Sequence, residues 1–365
     1  MHFLFICTQS NQIITFRKPL IAELQNRGNK VSAIAFDEDY KEQVNAMEVD
    51  LYCVPAANRS INPFQILSLN GRIKKIIKQV SPDIVFTFML KPNTFGVLAA
   101  HKAGIKNIYS MVEGAGDVFI KNGLKWKLIR KIVCHLYKKT LNFSKKVFFL
   151  NNDDKTEFIE RKLVKEEQCE VIHGIGVDLE HFSYKPVKNG RTFLMIARML
   201  KTKGVYEYCE CARIVKQKYP DAVFNYLGAE GDIKLSDIDE YIKDGSVNYL
   251  GTTNDVRPFL EDSTVYVLPS YREGMPVSVM EAEAIGRAII TFDTNGCRDT
   301  VIDGQNGFLV KVANIEDIVE KMIYFIENPE QAEIMGKNAR KFAEESFNQK
   351  MINETILNTI RESTL

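Results

Sequence analysis

The chain has 365 residues, 45% of them hydrophobic and 26% charged, with a formal net charge of +1. That length suits two or three domains with their own cores, and the near-neutral balance argues against a bulk nucleic-acid binder. The seven cysteines are odd in number and include no CxxC pair, which points to free thiols in a reducing compartment and away from a disulfide framework.

In chain order, Phe3 to Cys7 reads as a first strand, because a basic leader and a small-residue cleavage site are lacking. The polar loop Thr8-Gln-Ser-Asn-Gln12 precedes a helix from Phe16 to Arg27. Strands are predicted at Val31 to Phe36, Asp50 to Val54, Asp83 to Phe88 and Ile108 to Ser110, with helices at Pro63 to Lys78 and Thr94 to Gly104. Val147 to Leu150 and Cys169 to Ile172 extend the alternation, which implies βαβ units and a parallel sheet. The first loop has no glycine, so a GxGxxG dinucleotide site, and with it an NAD-dependent dehydrogenase or epimerase, is disfavoured. No apolar run is long enough to span a bilayer.

Two further features stand out in this half. Glu113, in Val112-Glu-Gly-Ala-Gly-Asp117, sits at a strand end, where it is either a substrate-hydroxyl acceptor or an exposed turn carboxylate. Residues 121 to 139 form a basic amphipathic segment with Lys121, Lys125, Lys127, Arg130, Lys131, Lys138 and Lys139. Its apolar residues are Leu124, Leu128, Ile129, Ile132, Val133 and Leu136, with Trp126 near one end. Together with the basic patch at 72 to 78 it suits an anionic membrane surface, or else a solvated helix packed on the sheet.

Gly, Pro, Lys and Asn are dense from 171 to 190, which marks a junction. The expected organisation is an N-terminal domain over 1–180 and a C-terminal domain over 190–345. Residues 346–365 are expected to form a helix packing back towards the N-terminal domain. The second series has strands at Thr192 to Ile196, Ala222 to Leu227, Val247 to Leu250, Thr264 to Leu268 and Ala288 to Thr291. Helices are predicted at Val205 to Gln217, Ile315 to Glu327, Ala332 to Glu345 and Gln349 to Arg361. Arg198 and Lys203 in the first loop offer a fork and a point charge for a diphosphate, or are simply solvated. Strand, tight loop and helix start follow one another from Thr264 to Ala284, and a helix start of this kind takes phosphate through its free N–H groups or is a plain cap. Glu281 there is a ribose-hydroxyl acceptor or an ordinary helix carboxylate.

Leu268-Pro-Ser-Tyr-Arg-Glu-Gly-Met-Pro-Val-Ser-Val-Met-Glu-Ala282 resembles the E-x7-E motif of retaining family 4 glycosyltransferases with the GT-B fold. Met195 to Gly204, Val247 to Gly251, Gly176-Val-Asp178 and Gly304 to Leu309 are similar to other blocks of that family. Asn93 to Ala100 and Val112 to Gly116 resemble, more narrowly, bacterial N-acetylgalactosaminyltransferases that act on undecaprenyl-diphosphate-linked glycans. The resemblance implies an α/β fold of two Rossmann-like domains facing each other across a cleft. It implies a UDP-sugar donor bound by the C-terminal domain, a lipid-linked saccharide acceptor bound by the N-terminal domain, and a peripheral place on the cytoplasmic membrane's inner face. Of the two DxD patterns, Asp37-Glu-Asp39 follows a strand of the N-terminal domain and Asp237-Ile-Asp239 lies away from the motif loop, and there is no compact His/Cys cluster, so no required metal and no cofactor are expected. Arg198 and Lys203 would neutralise the diphosphate, Glu273 would meet the donor sugar, Glu281 the ribose, and Gly274, Met275, Pro276, Val277 and Ser278 would present backbone donors. The departures are the glycine-free first loop, Glu113 where many relatives have His, and Asp299 in place of a longer acid in Gly296-Cys-Arg-Asp299. Rival readings are a transferase for UDP-GlcNAc, UDP-Gal or UDP-Glc, a UDP-N-acetylglucosamine 2-epimerase, and a non-catalytic binder of UDP-sugar or membrane.

Overall fold

The computed structural model describes residues 1–55, 63–114, 116–120, 123–188 and 190–364. Lys121, which opens the predicted basic segment, and Ala115, in the loop after Glu113, lie outside the described residues. The chain forms two compact units: Met1–Ile172 with Met351–Leu365, and His173–Lys350.

The first unit is built on seven parallel strands: β1 (His2–Ile6), β2 (Lys30–Ala35), β3 (Asp50–Cys53), β4 (Ile84–Phe88), β5 (Asn107–Val112), β6 (Lys146–Phe149) and β7 (Cys169–Val171). Their order is β3-β2-β1-β4-β5-β6-β7. The central strands read as continuous apolar runs, FLFI and IVFTF, because both faces are covered by helices. The order reverses between β1 and β4, which leaves a crevice beyond their carboxyl ends.

Both predicted helices beside that crevice begin differently from the expectation. A π-helical turn, Ile13–Arg17, precedes the α-helix Lys18–Asn26, and another, Pro92–Gly96, precedes Val97–Ala103. Pro19 explains the first break: without an N–H, proline is tolerated only in a helix's first turn. The helix Asn152–Glu160 has little amphipathic pattern and escapes sequence reading; Asn151 caps it, accepting from the Asp154 N–H at 2.7 Å. The helix Gln349–Thr364 buries Ile352, Ile356, Leu357 and Ile360 at helical spacing. Within the first unit, the Tyr109 hydroxyl donates to the Ile360 carbonyl at 3.1 Å and Lys145 Nζ donates to the Ser363 carbonyl at 2.6 Å.

The second unit repeats the plan with six parallel strands: β8 (Thr192–Ile196), β9 (Val223–Leu227), β10 (Asn248–Tyr249), β11 (Val265–Leu268), β12 (Ala288–Phe292) and β13 (Gly307–Val310). The order β10-β9-β8-β11-β12-β13 puts its reversal between β8 and β11. Phe193 and Phe224 stack with ring centroids 5.0 Å apart in a core that also holds Tyr208, Tyr266, Phe292 and Phe325. Arg340 ties down the chain entering this unit, donating to the carbonyls of Phe182 at 2.8 Å and Ala284 at 2.7 Å.

Candidate active site

The loops after β8 and β11 carry the candidate residues, at the reversal point where an open parallel sheet binds ligands. They are laced together by backbone. Tyr271 N–H donates to the Thr202 carbonyl at 2.9 Å, and the Ser270 hydroxyl donates to the same carbonyl at 3.1 Å. Gly204 makes the approach feasible: its φ is +74°, and an added Cβ would stand 2.0 Å from the Pro269 carbonyl oxygen. Gly296 does the same from the loop after β12, where a Cβ would lie 2.5 Å from the Glu273 carbonyl oxygen. Tyr271 anchors the loop sideways, its ring edge-on to Phe292 and its hydroxyl on Glu207.

On this frame Lys203 and Glu273 meet in an ion pair, Nζ to Oε1, with most of both side chains out of solvent. The Ser270 hydroxyl donates to the same Glu273 oxygen at 2.7 Å, and the Glu273 N–H donates to the Asn295 carbonyl at 3.0 Å. Arg198 is exposed on the loop after β8 and has no ion pair among the described residues. Lysine has three N–H donors, so Lys203 holds Glu273 and keeps donors for a second anion.

Gly274, Met275 and Pro276 lead into the helix Val277–Ile285, whose first turn has neither a side-chain cap nor an acidic residue. Pro276 occupies the cap in extended backbone, leaving the Val277 and Ser278 end of the helix as an anion-attracting terminus. Glu281 lies one turn further on. Its carboxylate is half-buried, has no hydrogen bond or ion pair among the described residues, and is pushed up to about 7 by burial. A carboxylate left without donors in such a place suits hydroxyl groups brought by a ligand. Two residues up the chain in structural role, the fully buried Glu283 accepts from Asn306 Nδ2 at 2.7 Å and is raised well above the usual carboxylate range by burial. Through that bond it ties the helix Val277–Ile285 to the turn before β13.

Sequence reading assigns no role to Ser270, although its hydroxyl orients Glu273. A small hydroxyl residue three positions before the acid is the available signal. Asp299 is half-buried in the short 3-10 turn Arg298–Thr300. Three acids of the two DxD patterns have local partners. Asp37 accepts from the Ser10 N–H at 3.0 Å, Asp237 from the Lys234 N–H at 2.8 Å, and Asp239 pairs with Lys243. Among the described residues, no group of three or more His, Cys, Asp or Glu has the arrangement of a metal site.

Glu113 belongs to the first unit and is placed just past β5. It pairs there with Arg17, whose guanidinium lies 4.1 Å from the Phe88 ring centroid. Arg17 is the residue that sequence reasoning misses most plainly, since nothing in a Phe-Arg-Lys-Pro stretch announces a partner so distant in the chain.

Comparison with known proteins bears on these geometries. The family Glycosyl transferases group 1 matches residues 177–342, and the family Glycosyl transferase 4-like matches residues 4–151. The chain is 31% identical over 353 residues, 93% of each chain, to N,N'-diacetylbacillosaminyl-diphospho-undecaprenol alpha-1,3-N-acetylgalactosaminyltransferase of Campylobacter jejuni. It is 27% identical over 320 residues, 82% of this chain and 80% of the relative, to UDP-Gal:alpha-D-GlcNAc-diphosphoundecaprenol alpha-1,3-galactosyltransferase of Escherichia coli. Among solved structures, Anabaena HepE in complex with UDP and glucose covers 99% of this chain and 100% of its own, with a TM-score of 0.81 at 16% identity. Sucrose-phosphate synthase from Thermosynechococcus elongatus gives a TM-score of 0.83 at 16% identity over 99% of both chains. The two parallel-sheet units and these matches together show a GT-B hexosyltransferase, and the chain belongs to the family 4 glycosyltransferases.

Proposed function

We propose that the protein transfers N-acetylgalactosamine from its UDP derivative to a saccharide carried on a lipid diphosphate, with retention at the anomeric carbon. The supporting observation is the cluster at the reversal of the second sheet: Arg198, the Lys203–Glu273 pair and an uncapped helix start. A leaving diphosphate needs that set of cations and donors. In the proposed reaction the bond between the anomeric carbon and the phosphate oxygen breaks. The acceptor hydroxyl oxygen bonds to that carbon on the same face, and its proton passes to the departing phosphate oxygen. Arg198, Lys203 and the N–H groups at Val277 and Ser278 stabilise the charge that develops there, and Glu281 holds the ribose. Neither a metal nor another cofactor enters this scheme.

The choice of sugar follows the Campylobacter relative, and the Escherichia relative makes UDP-galactose the second donor to try. The membrane side of the proposal is supported by the helix Leu124–Thr140. Ile129, Val133, Leu136 and Tyr137 pack into the first unit, whereas Leu124, Leu128 and Ile132 remain 86%, 62% and 50% exposed. That outward stripe lies among Lys125, Lys127 and Lys131, a pattern suited to an anionic lipid interface at the inner face of the cytoplasmic membrane. No helix among the described residues is long and apolar enough to cross a membrane.

The test is turnover of a UDP-sugar panel with polyprenyl-diphosphate-linked saccharides, with EDTA present. Transfer from UDP-N-acetylgalactosamine giving an alpha linkage, lost in Glu273→Ala, is expected. Transfer from a different donor discards the sugar assignment. UDP binding without transfer to any lipid-linked saccharide discards the acceptor class.

A further inference from the structure

Phe88 ends β4, Glu113 follows β5, and Arg17 closes the π-helical turn that follows β1, so the three come from the connections of adjacent strands β1, β4 and β5 at the reversal of the first sheet. The Arg17 side chain is 3% exposed, lies on the Phe88 ring and pairs through Nη2 with Glu113 Oε1. Burial lowers Arg17 to about 10, so it still carries its charge near neutrality. A cation in that position needs an anion beside it.

Glu113 is the asymmetric partner. Its side chain keeps 17% exposure, and Arg17 pairs with Oε1, which leaves Oε2 as the oxygen able to take a second donor. The rim around it is built with unusual backbone. The two π-helical turns, Ile13–Arg17 and Pro92–Gly96, flank the reversal point, and such turns inside helices gather at functional sites. Met89, directly after β4, has φ +73°, a strained value for a side-chain-bearing residue, and Gln12 Nε2 donates to its sulfur at 2.6 Å. The backbone leaves Glu113 through Gly114 at φ +124°.

An ion pair whose only task was to neutralise Arg17 would have no reason to stand partly exposed at a strained rim. A carboxylate oxygen there accepts from O–H or N–H groups and repels phosphate. We infer that Glu113 receives a hydrogen bond from a hydroxyl of the acceptor saccharide, and that Arg17 is a positioning residue that keeps the Glu113 carboxylate charged and aimed at it. The inference rests on the proposed saccharide acceptor. It gives the first unit a reader of neutral sugar hydroxyls, distinct in chemistry from the cationic loops of the second unit.

The experiment is a double-mutant cycle on the full chain with Arg17→Met, Glu113→Gln and both together, read as KM for acceptor and for donor separately. Losing a hydrogen bond to a charged group costs on the order of 10- to 100-fold, so each single variant is expected to raise the acceptor KM by about that factor with the donor KM unchanged. The double variant is expected to be no worse than the weaker single, because Arg17 acts through Glu113. Arg17→Lys, which keeps charge but not the planar fork, is expected to fall between wild type and Arg17→Met. It also supplies the cycle should the methionine variant fold poorly. Losses that multiply in the double variant, an unchanged acceptor KM, or a rise confined to the donor KM would each overturn the inference. Calorimetric binding of a short-chain polyprenyl-diphosphate N-acetylhexosamine, without donor, separates the two proposals. Binding weakened by Glu113→Gln in a wild type that transfers nothing would sink the proposed reaction and uphold this inference, and binding that Glu113→Gln leaves unchanged would sink this inference.

Discussion

Glu281 holds an uncomfortable charge, and that discomfort has a measurable sign. Burial places its folded pKa near 7, above the ordinary 4.5. The free protein therefore gains from a protonated Glu281 at low pH and loses that contribution as pH rises from about 4.5 through about 7. Ribose hydroxyls favour the charged form, so nucleotide binding should release a proton near pH 6. Calorimetry of UDP in buffers of different ionisation enthalpy is expected to show that release in wild type and not in Glu281→Gln. A second expectation concerns Ser270, whose hydroxyl shares Glu273 Oε1 with Lys203. Ser270→Ala is expected to lower kcat about tenfold, the scale of one hydrogen bond to a charged group, while UDP affinity stays within about threefold. Equal losses in both would assign Ser270 to donor binding instead. The acids of the motif were legible because they sit on one contiguous loop and helix. The Ser270 bond needed the loop's actual path, and Arg17 needed three strands laid side by side.

At the scale of elements, the helix Leu124–Thr140 shows what periodicity conveys and what it omits. Its apolar residues were readable as one broad stripe, but packing divides them. Ile129 and Val133 enter the core, while Leu124, Leu128 and Ile132 stay outside. Only the sheet's position decides that division. If the outer row meets lipid, Leu124→Glu with Leu128→Glu should reduce binding to phosphatidylglycerol vesicles by at least about tenfold. The cost of placing charge in an apolar interface sets that scale. Turnover on a detergent-soluble acceptor should persist, and vesicle binding equal to wild type would refute the membrane assignment. Strand positions were readable almost throughout, since buried parallel strands are short unbroken apolar runs. The π-helical turns were not, because no composition distinguishes them from α-helix until Pro19 or Pro92 is set in place.

Over the whole molecule, the first unit is assembled from two distant pieces of chain and the second from one. Ile352, Ile356, Leu357 and Ile360 are buried in the first unit's share of the C-terminal helix, each contributing roughly 1.5 to 3 kcal/mol. Deleting Met351 to Leu365 should therefore lower the melting of the first unit by well over 5 °C and leave the second nearly unchanged, given about 2 to 4 °C per kcal/mol for units of this size. Differential scanning calorimetry or hydrogen exchange of Tyr109 and its neighbours would read it, and a uniform shift of both units would contradict it. The connectivity also bears on synthesis. Domains emerging from a ribosome usually fold in order from the N-terminus, but here the N-terminal unit needs the residues from Met351 onward, which are made after the whole of the second unit. Until those residues emerge, the first unit lacks the four apolar side chains that the helix supplies to its core, which makes it a client for a chaperone, and a premature stop codon before Met351 would leave a complete second unit joined to an unfinished first one.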